Sequence, residues 1–416
     1  MFFIDLTDSQ KAIWKGGFTT LFVMIQLATI NNYVVIFLDQ DLITAVAIIT
    51  IIISLRNFLQ IFLRVPLGEL SQIIGRKPLI LGGHFSFTFS LVLLYLAQDW
   101  TFVLFAILCT AFGMSCFWAS LFSYVADVAP QSVGESTGQI FMATDVGSLL
   151  SGFLSAFLLN ELGWDLTGLF GFMVILGIAT GIIGVVLLPE GLDPSQRKRV
   201  DSVFWALNSS FLTMIRDIKE ISFSHRLEVV YVFQLVLAFT EFALTTFLPL
   251  LIVSKGYTKG DVGGIVFWAT LAIVWFKPFL GRLSDNHQFT LVFSIPLFVI
   301  SGIILLFTYF NEYIFLVILY ILMNGALITA YSATNSEVTR RAPFEQRGIA
   351  MGVLGFWISL GRTVSTLLLG IIWAFFDLNS VFLSMVMICF GGTGVVLLAF
   401  KERSSLQAQK VISERL

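Results

Sequence analysis

The chain has 416 residues, 57% of them hydrophobic and only 12% charged, with a formal net charge of −2. Soluble domains carry about 25% charged residues, so this composition excludes an ordinary water-soluble enzyme or binding module and points to a membrane protein. Basic residues are spread over several loops rather than gathered into one patch, which excludes a nucleic-acid partner.

The opening MFFIDLTDSQKAIWKGGF lacks the basic start, short apolar core and small-residue cleavage site of a signal peptide, so the first apolar run is expected to stay. Twelve hydropathic runs follow, at 14–38, 42–63, 78–97, 100–124, 136–159, 166–188, 228–253, 262–280, 289–310, 313–336, 347–375 and 379–400. About 20 residues cross a hydrocarbon core about 30 Å thick, and lipid leaves backbone groups no water to bond, so each run is predicted to be a helix. The ten-residue alternating segments of a barrel are absent.

In chain order, the first span carries Gln26, Asn31 and Asn32, and the second carries Arg56, Asn57 and Gln60. Between the second and third lies RVPLGELSQIIGRKPLILGG, with Gly68, Gly75, Arg76 and Lys77. Gly68 is expected to allow close helix approach, Gly75 to permit a tight turn, and Arg76 and Lys77 to stay in the headgroup layer. The fifth span holds Asp145. A linker at 189–227 places Val203, Phe204, Leu207, Phe211, Leu212, Ile215, Ile218 and Ile221 at helical spacing, as an interfacial helix would. The seventh span holds Gln234 and Glu241, the eighth Trp268 and then Gly281, Arg282 and Asp285, the tenth Asn324, and the eleventh Trp357 and Arg362. Cys109, Cys116 and Cys389 fall within spans and carry no disulfide framework.

Lys and Arg outside the spans fall in alternate loops, with only Lys255 and Lys259 in the opposite set. Both termini are therefore expected in the cytoplasm, with the protein in the plasma membrane. The linker divides the chain into 1–188, 189–227, 228–400 and a tail at 401–416. An internal repeat supports two halves. Gly-x-Leu-Ser at 68–71 recurs at 281–284, and Gly134, Gly138 and Gly147 recur as Gly348, Gly352 and Gly361, an offset of 213 or 214.

GELSQIIGRKP, with its weaker copy GRLSDN, resembles the loop motif of the major facilitator superfamily. The resemblance implies an all-α membrane protein of twelve transmembrane helices in two pseudo-symmetric six-helix bundles. It implies a gating latch for Gly68, Gly75, Arg76, Lys77, Gly281, Arg282 and Asp285, although the motif's acid is Gln72 here. The function it implies is secondary transport of a small solute by alternating access, by a monomer without cofactor or metal.

Charged side chains inside spans are costly, about 2.5–3.5 kcal/mol at a helix centre, and mark partners or wet cavities. Arg56, twelve residues before Gly68, lies about 18 Å along its helix. Asp145 lies eleven residues past Gly134, about 16 Å deep. Glu241 and Arg362 each stand fifteen residues from Arg226 and Arg347, about 22 Å along. Two readings remain open: salt bridges that hold helices together, or a proton carrier at Glu241, then Asp145, with Arg56 and Arg362 as counter-charges or substrate anchors. Gln60, Gln26, Asn31, Asn32, Gln234, Asn324, Trp268 and Trp357 complete the candidate substrate site.

Rival readings are a drug or metabolite efflux antiporter, a membrane enzyme, and a receptor or scaffold that binds solute without moving it. The antiporters' fourth-span arginine is replaced by Cys109, and their fifth-span proline is missing. His84, His225 and His287 have no catalytic or metal partner at motif spacing, which argues against an enzyme.

Overall fold

The computed structural model describes residues 7–130, 133–197, 216, 227–285, 289–341 and 347–394, and these are helical with no strand among them. The helices are α1 (Asp8–Ile36), α2 (Val46–Ile74), α3 (Arg76–Tyr95), α4 (Trp100–Val128), α5 (Val133–Ala156) and α6 (Leu166–Leu187). After the linker come α7 (Glu228–Ser254), α8 (Lys259–Asp285), α9 (Phe289–Tyr309), α10 (Tyr313–Arg341) and α11 (Arg347–Phe375). A last helix, α12, covers Leu378–Gly394. Ten of the described helices are long and apolar enough to cross a membrane, and Ser294–Tyr309 and Leu378–Gly394 are shorter apolar helices.

Predicted runs and helices coincide closely at their apolar ends. At the polar ends α2 continues to Ile74, α4 to Val128, α8 to Asp285 and α10 to Arg341. Hydropathy registers only the thickness of hydrocarbon, whereas the i to i−4 ladder continues through polar turns. The interfacial helix expected over 203–221 and the tail at 401–416 lie outside the described residues. Several starts are fixed by an aspartate cap, which fills an orphan donor of the first turn. Asp99 accepts from Thr101 N, Asp165 from Gly168 N and Asp377 from Ser380 N.

The α1–α2 and α5–α6 connections are built alike. Each helix closes in a π turn, Phe37–Asp41 and Phe157–Glu161. Leu42 N then donates to Phe37 O and Thr44 N to Leu38 O, matched by Leu162 N to Phe157 O and Trp164 N to Leu158 O. Both turns need a left-handed residue, Gly163 at φ 66° and, in the other, Ile43 at φ 47°. A β-branched residue is strained there, and Ile43 is 85% exposed, so its side chain returns little in packing. Ile43→Gly is expected to raise stability by about 0.5–1 kcal/mol, read as a higher unfolding midpoint in detergent.

The helices group into two compact units. Unit 1 joins Met1–Ile215 with Thr245–Val274, and unit 2 joins Arg216–Leu244 with Trp275–Leu416, so the division runs through α7 and α8. In unit 1, α3 packs on α4 and α6, α1 on α5, and α2 on α4. Ile13, Val23, Leu27, Phe87, Phe117 and Tyr124 form part of its core. In unit 2, α10 packs on α9 and α11.

One crossing occurs in both units. A Cβ on Gly147 of α5 would lie 2.4 Å from the Leu21 carbonyl oxygen of α1, and a Cβ on Gly361 of α11 would lie 2.4 Å from the Leu235 carbonyl oxygen of α7. Both members of the second crossing are the first shifted by 214 residues, the offset of the glycine repeat.

Candidate functional site

The Gly361 crossing positions the main charged cluster of unit 2. Absence of a side chain lets α11 settle on the α7 backbone, and the next residue, Arg362, then reaches Glu241. Arg362 Nε and Nη2 donate to Glu241 Oε2 at 3.1 and 2.9 Å, and Nη2 also approaches Oε1 at 3.2 Å. Tyr331 of α10 donates its hydroxyl to Oε2 at 3.1 Å. The guanidinium carbon lies 5.7 Å from the Phe242 ring centroid, within cation–π range. The Arg362 and Glu241 side chains are 18% and 25% exposed, so the pair is neither sealed nor freely solvated.

Other unit 2 candidates do not join this cluster. Gln234, two turns before Glu241, is fully buried with neither end of its amide bonded. Asn324 Nδ2 bonds the Tyr320 carbonyl of its own helix, and Trp357 packs edge-on to Phe356 with Nε1 unbonded. Tyr331 is absent from the sequence-level candidates, though a signal exists: it stands two turns beyond Asn324, on the same helix face.

In unit 1, Arg56 is 3% exposed and donates from Nη1 to Asn31 Oδ1 at 2.6 Å. Gln60 bonds Met114 Sδ through Nε2 and receives Arg64. Asn32 is buried, Asp145 is half-buried on α5, and Trp268 is 52% exposed. Gln26 turns toward α3, where its carbonyl oxygen accepts from Thr88, and His84 bonds the Gly177 carbonyl beside it. That polar seam ties α1, α3 and α6 together.

In the stretch that resembles the latch motif, Arg76 is 7% exposed, with Nε paired to Asp127 at 2.8 Å and Nη1 bonded to Ser71. Glu190, just past α6, caps the start of α3. Its Oε1 accepts from the backbone N–H of Arg76 at 2.7 Å, Lys77 at 3.4 Å, Gly191 at 3.0 Å and Leu192 at 3.2 Å, and Oε2 meets Arg197 at 3.5 Å. The tight turn expected at Gly75 is present at φ 109°, and a Cβ there would lie 2.4 Å from Glu190 Oε2. Gly75→Ala is expected to cost about 1–3 kcal/mol through backbone strain alone, read as a lower unfolding midpoint. Gly68 makes no close approach of the kind expected, since a Cβ there would meet only Ala119 at an ordinary 3.9 Å. Gly281, Arg282 and Asp285 lie on the α8 backbone, with their side chains outside the described residues.

At the opposite end of unit 1, Lys259 Nζ pairs with Asp41 at 2.7 Å, and Asn160 bonds Thr258 and Asp261. A Cβ on Gly152 would lie 2.7 Å from the Gly263 carbonyl oxygen, so α5 and α8 touch backbone to backbone. These contacts join Thr245–Val274 to the first six helices.

Among the described residues no group of His, Cys, Asp and Glu could hold a metal ion. The family model of the Major Facilitator Superfamily matches residues 16–366 and, in a second alignment, 230–414. No curated protein matches by sequence. Solved structures share the fold. The human organic anion transporter MFSD10 (TETRAN) superimposes with TM-score 0.66 at 16% identity, covering 94% of this chain and 100% of that one. A peptide transporter POT in complex with sulfate gives 0.74 at 13%, covering 94% of each chain. A POT family transporter in complex with 5-aminolevulinic acid gives 0.72 at 14%, covering 93% and 95%. The chain is thus a multi-pass membrane transporter rather than an enzyme, and it belongs to the Major Facilitator Superfamily.

Proposed function

We propose that the protein is a proton-coupled secondary transporter of a small solute, working by alternating access between two pseudo-symmetric six-helix bundles that make twelve crossings in all. Glu241 is the proton carrier, with Asp145 in support, and both termini face the cytoplasm of a plasma-membrane monomer.

The observation that carries this reading is an asymmetry. Shifted back by 214 residues, Glu241 and Arg362 become Leu27 and Ser148, at the crossing built on Gly147. The same helix contact is therefore made without charge, so the ion pair is not needed for packing. A partly exposed carboxylate kept where burial is costly is best explained by a proton it must load and release. The Arg76, Asp127 and Glu190 network and the Lys259–Asp41 pair supply contacts suited to gates at the two ends.

The test is flux in proteoliposomes across a solute panel, with and without a pH gradient. Wild type is expected to concentrate solute on the gradient, and Glu241→Gln to equilibrate it only. Accumulation by the variant on a proton gradient would remove Glu241 from the mechanism.

A further inference from the structure

Resting on the proton-carrier reading, we propose that Gln234 is a positioning residue on a proton route to Glu241, holding water along one face of α7. Gln234, Ala238 and Glu241 stand at i, i+4 and i+7 and share that face. Gln234 lies six residues into α7, about 9 Å from the end that loop charge assigns to the cytoplasm, and Glu241 lies about 10 Å further along. The amide therefore stands between that end and the acid.

Two independent observations point to water on this face. Gln234 is fully buried, and neither its carbonyl oxygen nor its amide nitrogen bonds a described residue. Burying an amide in this way forfeits the hydrogen bonds it made in solvent, and such a group persists where it binds water or performs a task. The second observation is a contrast between the two halves. Shifted back by 214 residues, the same face reads Thr20, Met24 and Leu27. Thr20 gives its hydroxyl to the Gly16 carbonyl of its own helix at 2.8 Å, and Met24 and Leu27 pack in the unit 1 core. That version is satisfied and apolar. In unit 2 the hydroxyl gives way to an unbonded amide, the methionine to an alanine, and the leucine to an acid. Each exchange favours water over packing, with a polar group to hold it, a shorter side chain beside it and an acceptor at the end.

An amide donates and accepts at once, so it orients water without taking the proton itself. A proton entering at the Glu228 end passes from water to water, one O–H bond breaking as the next forms. The last transfer makes an O–H bond on the Glu241 carboxylate.

Infrared spectra of the full-length protein in lipid vesicles test this without a solute. The carboxyl band of protonated Glu241 is the one that Glu241→Gln removes, and its shift on transfer from H2O to D2O times the exchange of its proton. Gln234→Leu and Ala238→Met are each expected to slow that shift at least about tenfold, a modest part of what a positioned proton-transfer group contributes. Thr20→Val, at the matching place in unit 1, is expected to leave it unchanged. Unfolding midpoints check that each variant is folded, and Ala238→Met restores only the residue that the unit 1 face carries.

Exchange as fast as wild type in either α7 variant would overturn the route. Equal slowing in Thr20→Val would do the same, by making access a matter of general packing. In both cases a Glu241 band that titrates between about pH 4 and 9 leaves the proton carrier standing. A band that never appears in that range would instead remove the carrier, and the route with it.

Discussion

Replacing Arg362 alone by alanine is expected to cost the folded protein about 3 kcal/mol, the lower end of the range for breaking a buried ion pair, since both side chains retain some exposure. The loss arises because the Glu241 carboxylate is left within the membrane span without the guanidinium that pairs with it. The double variant Glu241→Gln, Arg362→Gln leaves no charge behind, and its amides can still bond one another and Tyr331. It is expected to unfold within about 1 kcal/mol of wild type, as paired removal of a buried ion pair is often neutral. Yet it should accumulate no solute on a proton gradient. Midpoints in detergent, set beside uptake in proteoliposomes, make the comparison. A double variant as unstable as Arg362→Ala would mean that the pair holds α7 to α11, and that the uncharged crossing at Leu27 and Ser148 is no guide to unit 2.

How much of this was legible in the sequence depended on the range of the forces involved. Helices were legible because lipid forces every backbone group into a local ladder, and local ladders follow local hydropathy. Their polar ends were not, since Ile74 and Arg341 stay helical in segments hydropathy does not weigh. The Glu241–Arg362 contact was partly legible, because both side chains sit equally far from an arginine at the start of their spans. Partners far apart in the chain were not. Glu190 comes to Arg76 across 114 residues, and no motif position predicted that its carboxylate would cap α3. Tyr331 meets Glu241 across 90 residues. Gln26 shares its span with Asn31, yet one bonds Thr88 and the other Arg56, because helical rotation of about 100° per residue sends neighbours to different faces. The glycine repeat was the most productive signal. An offset of 214 read from spacing alone became two crossings with the same 2.4 Å demand.

Those two glycines give the sharpest contrast between packing and function. Gly147→Ala and Gly361→Ala each press a methyl group against a backbone carbonyl, which cannot rotate aside as a side chain can. Each is expected to destabilise by about 2–3 kcal/mol, the upper part of the range for overpacking. Gly138→Ala, with nothing within 4 Å of the added carbon, is the control, expected to be neutral or mildly stabilising. The consequences for transport should differ even where the unfolding midpoints agree. Displacing α11 from α7 draws Arg362 off Glu241, whose hydrogen bonds at 2.9–3.2 Å tolerate little movement. Displacing α5 from α1 moves Leu27 and Ser148, the uncharged residues that stand 214 positions before Glu241 and Arg362. Proton-driven accumulation should therefore fall at least about tenfold further in Gly361→Ala than in Gly147→Ala, the effect of about 1.4 kcal/mol lost from the coupled state. Equal losses in the two variants would place the coupling in the general fit of the helices rather than in the charge pair that only one crossing possesses.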